Sequence, residues 1–454
     1  MQTPYLPEVK AQYEHYPYPP RNPAEEHTRL VESQGDFLDV VNFYCFGGRE
    51  NFSKGFRALV AGCGTGDAVV FLSEQLRDTD SEIVALDFSE SSLEITRKRC
   101  AARALSNVRF VCAPIEEIPS HSLGEFDYIS CSGVLHHLAD PDAGLRILAR
   151  TLKESGGMHL MVYGAYGRMP VYLMQSLLKQ VVGADISPGE RVRLARALIG
   201  ELPESNPFKR EFSRVGNDII QFGDIGLYDL LLHAQDRAYT VSQIYAWLEQ
   251  AELKLATFDN FGGGGRIVYD PAHYLRNPEL LRAITSKPLL EQQAVAELVA
   301  GNMARHSCYV TKRSTAPPSP DDSAAIPYIP AAWAEDDIYT TLSLQIAKER
   351  GDSATVGFRD TGLKLNFKPT PHAARIFKHT NGERNLAGIV ACVKKEIAQG
   401  PDGIVPSDRE LASELRALFD GFYRMDWMLL RYPESRRMRS GRFLQERMLN
   451  LSAK

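Results

Sequence analysis

No apolar run in the 454-residue chain approaches the roughly 20 residues that a membrane-spanning helix needs. The amino terminus, MQTPYLPEVK, lacks a basic-then-apolar signal pattern. Both absences argue against membrane insertion and secretion, so a cytoplasmic protein is expected. Cysteine is scarce: seven residues, an odd number, none in a C-x-x-C pair. Neither a disulfide framework nor a zinc knuckle is indicated, and no metal is expected. Charge of one sign is lacking too. A net charge of −5 gives no case for nucleic acid or an anionic membrane as partner.

What the chain does have is the stretch Arg57–Asp87, RALVAGCGTGDAVVFLSEQLRDTDSEIVALD. A short apolar run (Ala58–Ala61) enters a loop with Gly62, Gly64 and Gly66. A helical pattern comes next, and a second apolar run, Ile83–Leu86, ends on Asp87. This is one βαβ unit with its ligand-facing residues at the carboxyl ends of the strands. Glycines let backbone approach a nucleoside closely, and a carboxylate closing the second strand accepts hydrogen bonds from both ribose hydroxyls. A dinucleotide site prefers G-x-G-x-x-G. Here the spacing is G-x-G-x-G, and Asp67 puts a negative charge at the helix start where a diphosphate would dock. The loop therefore suits a cationic cofactor.

AGCGTG followed by LDFSESSLEITRKR resembles the class I S-adenosylmethionine (SAM)-dependent methyltransferases, in particular the broad group with a G-C-G-T-G loop. The segment SGVLHHLADP (Ser132–Pro141) is similar to the stretch after the fourth strand in that group, beside the methyl-donor site. The resemblance implies an α/β, Rossmann-like, seven-stranded domain and SAM as cofactor. It implies cofactor contacts at Gly62, Cys63, Gly64, Gly66, Asp87, Phe88, Pro114, Ile115 and Ser132. It makes His137 the first candidate base, with His136 and Tyr163 beside it. Two departures stand out. Pro114 occupies the place of the acid that usually meets the adenine amine. Val60 occupies the place of the acid that many relatives use for the methionine ammonium, so loop backbone, Asp67 or the N-terminal arm must hold that end. Asn-Pro-Pro-Tyr and Asp-Pro-Pro-Tyr are absent, which argues against the branches that methylate planar amides and adenine amines through those motifs.

The length predicts two or three domains. Residues 1–50 read as an arm or cap: four of the eleven residues Tyr13–Pro23 are proline, favouring an extended segment, and a helical pattern succeeds it over Thr28–Val41. Two readings stay open for it: an arm that closes over the cofactor with Tyr13, Tyr16 or Tyr18, or a tail pinned to the outside by aromatic burial. Residues 51–313 read as the methyltransferase domain. Ser89 caps one helix and Asp140-Pro141 opens another that ends at Gly156-Gly157. A helical lid covers about 168–250, and lids of this kind hold acceptor recognition. Tyr228–Thr240, carrying Asp229, His233 and Asp236, reads as a solvated helix end, with contact to substrate as the alternative, and Gly262–Gly265 as a connection.

Residues 314–330 (STAPPSPDDSAAIPYIP) read as a linker. Residues 331–454 read as a small α+β, winged-helix-like accessory domain, with a Ser407/Glu410 capping box and an arginine-rich end that reads as a solvated helix. The expected function is SAM-dependent methyl transfer to a nucleophilic acceptor, a protein or peptide side chain presented by the C-terminal module. The alternatives are a small-molecule (natural-product or quinone-like) methyltransferase and a non-catalytic SAM-binding protein. A homo-oligomer is compatible with either.

Overall fold

The computed structural model describes residues 5–183, 186–259, 265–333, 337–348, 354–357, 364–400, 404–436 and 438. The loop glycines 262–264 and most of the arginine-rich end, including Arg437, Arg439, Arg442 and Arg447, lie outside the described residues.

One mixed sheet organises the chain. Its strands are β1 (Lys54–Ala61), β2 (Asp80–Asp87), β3 (Val108–Cys112), β4 (Phe126–Ser132), β5 (Leu152–Gly164), β6 (Ala238–Tyr239), β7 (Lys254–Asp259) and β8 (Arg305–Thr311). Their order is β3-β2-β1-β4-β5-β8-β7, with the two-residue β6 against the end of β5. The pairs among β1 to β5 are parallel, and β8 runs antiparallel to both neighbours. The order reverses between β1 and β4. The crevice outside the carboxyl ends there is where open α/β sheets bind ligands. The Rossmann-like seven-stranded expectation is met, with β6 as an addition.

Helices cover both faces. On one side lie α1 (Pro7–His15), α2 (Leu38–Phe46), α3 (Asp67–Gln75) and α4 (Glu90–Ala102); on the other, α5 (Pro141–Thr151) and the helix Val241–Gln250. Their starts obey local chemistry. Ser89 Oγ accepts from Ser92 N at 3.2 Å, and Asp140 Oδ1 from Ala143 N at 2.8 Å. Gly156 and Gly157 do not end α5. The helix stops at Thr151 and the glycines lie inside β5. A Cβ on Gly157 would lie 2.3 Å from that of Cys45, so its bareness lets α2 press onto the sheet. The lid, α6 (Met169–Val181), α7 (Pro188–Glu201) and the helix Asn217–Leu231, has its own apolar core.

The two ends of the chain depart from expectation together. The helix foreseen over Thr28–Val41 begins only at Leu38 and runs to Phe46. It is buried on nearly every side, because the sheet takes one flank and the C-terminal region the other. The supposed linker ends in β9 (Ile326–Tyr328), which pairs with β12 (Leu429–Arg431). Tyr328 OH donates to Asp39 O at 2.8 Å, and Ala331 N to Asp39 Oδ2 at 2.6 Å. Tyr44 OH bonds the buried Asp426. The arm, the sheet face and the C-terminal region thus share one apolar core, containing the fully buried Trp427. The accessory region comprises a helix (Ile338–Lys348), the hairpin β10 (Ala354–Gly357)–β11 (Lys364–Phe367) and helices Ala373–His379, Leu386–Gln399 and Asp408–Tyr423. Ser407 and Glu410 form the expected capping box.

Candidate active site

A cavity of about 1150 Å³ opens at the carboxyl ends of β1, β2 and β4. Its volume exceeds the ~300–1,000 Å³ usual for one drug-sized ligand, leaving room for a cofactor and an acceptor together.

The glycine loop forms one wall. Gly62 N and Cys63 N donate to Leu86 O at 2.8 and 3.0 Å, tying the loop to β2. Gly64 N donates to Asp87 Oδ2 at 2.7 Å and Ser89 N to Asp87 Oδ1 at 2.9 Å. These two bonds aim the carboxylate and leave lone pairs on both oxygens. Burial pushes the Asp87 pKa up to about 6 despite those donors. Gly64 has φ +52°, and a Cβ there would lie 2.7 Å from Tyr18 O. The N-terminal arm therefore crosses directly over the loop, fastened by Thr65 Oγ1 donating to Pro19 O at 2.6 Å.

Gly62, Cys63, Gly64, Asp87, Phe88, Pro114, Ile115 and Ser132 all line the cavity. Gly66 does not. It sits at the N-cap of α3 with φ +95°, and its missing Cβ makes room for Thr96. That is a packing role where a ligand contact was expected. Asp67 is also different from expectation. It accepts Arg21 Nε and Nη2 at 2.8 and 2.6 Å and Arg99 Nη1 at 2.6 Å. Burial opposes its charge, yet these guanidiniums hold its pKa below the ordinary carboxylate value. Its charge is neutralised by protein, so it neither repels a phosphate nor awaits an ammonium. Arg99 joins it to Glu26 (2.6 Å), so this buried ion-pair chain ties arm, loop and α4.

Sequence reasoning missed Glu116. It lines the cavity beyond Pro114, and one of its buried carboxylate oxygens has no partner. Two residues past the place of the usual acid, it provides an acceptor for an adenine amine. The donor set fits a nucleoside cofactor: a ribose-facing Asp87, a close backbone loop and an uncommitted acid past β3.

The opposite wall comes from the turn after β4, the end of β5 and the lid. His137 lines the cavity, and its Nδ1 lies 2.8 Å from Gln235 O. A carbonyl only accepts, so Nδ1 carries the proton and Nε2 is the basic nitrogen. Burial lowers the His137 pKa to about 4, and its ring stacks on His233 at 3.9 Å. Tyr163 lines the cavity beneath the Arg168 guanidinium, 3.5 Å above its ring. His136 is fully buried between His137 and Tyr163 and does not line the cavity. A ring shut away from the cavity cannot exchange a proton with a ligand there, which removes it as a base.

The lid also supplies residues expected to be solvated. Asp229, His233 and Asp236 are buried because their helix end tucks beneath the arm. Tyr13 OH lies 3.2 Å from both Asp229 Oδ1 and His233 Nε2. Gln235 N donates to His233 Nδ1 at 3.1 Å, which leaves the ring proton on Nε2 facing Tyr13 oxygen. The phenol then donates to Asp229. Burial and the neighbouring Asp218 raise the Asp229 pKa to about 7. Tyr13 and Asp229 line the cavity, so the arm touches both halves of it. Among the described residues no group of three His, Cys, Asp or Glu is placed to hold a metal ion, and no helix is long and apolar enough to cross a membrane.

Residues 59–158 match the family described as "Methyltransferase domain". An uncharacterised protein of a Synechococcus strain is 30% identical over 257 residues, 56% of this chain and 60% of that protein. The ubiquinone biosynthesis O-methyltransferase of Bordetella avium is 28% identical over 132 residues, 29% of this chain and 50% of that protein. The chain thus spans 60% or less of the length of these curated relatives. Among solved structures, PKMT2 from Rickettsia typhi in complex with AdoHcy superposes with a TM-score of 0.60 at 13% identity, covering 90% of this chain and 76% of that one. That likeness extends the shared fold across the lid and the C-terminal region. With the sheet order and a loop, carboxylate and cavity suited to a nucleoside, the chain carries a class I SAM-dependent methyltransferase domain.

Proposed function

We propose that the protein transfers the methyl group of SAM to a nucleophile held against the lid. The observation that carries this reading is the cavity that joins the Gly64–Asp87 nucleoside wall to the wall of Tyr13, His137 and Asp229. When bound, SAM supplies a sulfonium methyl open to in-line displacement. The protein's work is then to hold the acceptor within about 3–3.5 Å and aligned, exclude water, and accept a proton. Asp87 holds the ribose, Gly62 to Gly64 admit the chain beyond it, and Phe88, Pro114 and Ile115 enclose the base. His137 Nε2 and Asp229 are the two proton acceptors facing the lid half; a placed base contributes about 10²–10⁴-fold.

The acceptor on this reading is a protein or peptide side chain. In support, the wall segment with Val268, His273 and Tyr274 is fastened to the C-terminal region: Arg266 Nη2 donates to Tyr423 O at 2.7 Å, and Arg424 pairs with Asp270 at 3.2 Å. A small-molecule acceptor is the second reading, favoured by the ubiquinone-pathway relative, although that similarity covers only 29% of this chain. Incubation with methyl-labelled SAM and a cell lysate separates the readings. Label on protein supports the first, label in an organic extract the second, and no label with intact SAM binding would leave a non-catalytic binding protein.

A further inference from the structure

Val60, two residues before Gly62, leaves an uncharged side chain where the cofactor's amino-acid end needs a counter-charge. Its partner in the β1–β4 register is Ser130. Ser130 Oγ donates to Asp36 Oδ2 at 3.1 Å and Tyr128 OH to Asp36 Oδ1 at 2.8 Å. Gly35 O accepts from the hydroxyls of Tyr128 and Tyr309, each at 3.0 Å. Gln75 Nε2 donates to Asp36 O at 2.8 Å. No side chain fits at Gly35, where a Cβ would lie 2.0 Å from His159 Cε1. The turn Ser33–Asp36 is thereby clamped onto β4 alongside Val60, and Glu32 and Ser33, at its start, line the cavity.

Asp36 is fully buried and occupied by these donors. Glu32 is different. Among the described residues it has no hydrogen bond or ion pair, and burial alone raises its pKa, with no cation opposing. The other cavity acids are committed or elsewhere. Asp67 is taken by Arg21 and Arg99, Asp87 by the loop, and Asp229 by Tyr13. Glu116 lies past β3, two strands from β1, and Asp218 belongs to the lid. Glu32 is exposed where it lines the cavity, so its carboxylate is open to a cationic ligand group there.

We propose that Glu32, from the N-terminal arm, holds the cationic amino group of the cofactor's methionine end in place of the acid missing from β1. This rests on the SAM-binding reading above. Calorimetry with S-adenosylhomocysteine and with 5′-methylthioadenosine, which keeps the nucleoside thioether but lacks the amino acid, tests it. Glu32→Gln should weaken S-adenosylhomocysteine by about 10–100-fold, the cost of losing a hydrogen bond to a charged group, and leave 5′-methylthioadenosine unchanged. Glu32→Asp should fall between. Unchanged S-adenosylhomocysteine affinity would overturn the proposal, as would an equal loss for both ligands. Wild-type protein binding neither ligand would remove the cofactor reading itself, and this proposal with it.

Discussion

At Gly64 the loop has no spare space. Tyr18 O already occupies the position a side chain would take, so Gly64→Arg should abolish SAM binding in calorimetry while a cooperative melt is retained. Asp87 sets the pH dependence of that binding. Its ionised form accepts the ribose hydroxyls, and burial raises its pKa to about 6. Affinity should therefore be flat above that pH and fall about tenfold per unit below it; Asp87→Asn should weaken binding and flatten the profile. The two proton acceptors separate in the same way. His137, with a pKa near 4, is neutral throughout the physiological range, whereas Asp229, near 7, gains its base form only as pH rises through 7. If Asp229 takes the proton, the rate of label transfer should climb through pH 7 and then level. Tyr13→Phe removes a donor to that carboxylate, so it should move the climb to higher pH without changing SAM affinity. A profile already flat from pH 5 would assign the role to His137.

The element that links these residues is the arm. It crosses the glycine loop at Tyr18 and Pro19, reaches the lid through Tyr13, and is locked to α4 by Arg99, which bridges Glu26 and Asp67 from a fully buried position. Removing one partner strands buried charge, so Arg99→Ala should cost about 3–5 kcal/mol in denaturant unfolding. It should also speed hydrogen exchange over residues 13–26. A loss confined to α4, with the arm still protected, would show that the arm is held by other contacts. Much at this scale is readable in the sequence, because Ser89, Asp140-Pro141 and Ser407/Glu410 act within three residues of themselves. The glycine loop is readable for the same reason. Tyr13 and Asp229 are 216 residues apart, and no local pattern reports that they meet. Asp229 and His233 look solvated in sequence because a polar helix end usually is; the arm that buries them comes from the other end of the chain.

Across the whole molecule, the N-terminal arm, one face of the sheet and the C-terminal region share one apolar core. Proline and serine in residues 314–330 do mark a surface course, but its end is apolar, Ala325-Ile326-Pro327-Tyr328-Ile329, and it docks on α2. A chain ending at residue 313 would expose the flank of α2 that Trp427 and its neighbours cover. It should be poorly soluble or melt well below the full-length protein. A soluble truncation with an unchanged melting temperature would contradict the shared core. Trp427→Ala, a milder version, should cost about 3–5 kcal/mol.

The sequence by itself determined the cofactor half. Strand, glycine loop, helix and terminal acid are contiguous, their spacing is set by the backbone geometry of one βαβ unit, and a nucleoside binds chiefly to that local backbone. Only the tertiary structure decided what stands around it: Gly66 in packing, Asp67 neutralised by two arginines, His136 shut away, Glu116, Asp229 and Tyr13 brought in, and Glu32 lining the same cavity as Val60. Each depends on where distant segments come to rest, and that is set by the burial of apolar surface over the whole chain, which carries no short-range signature.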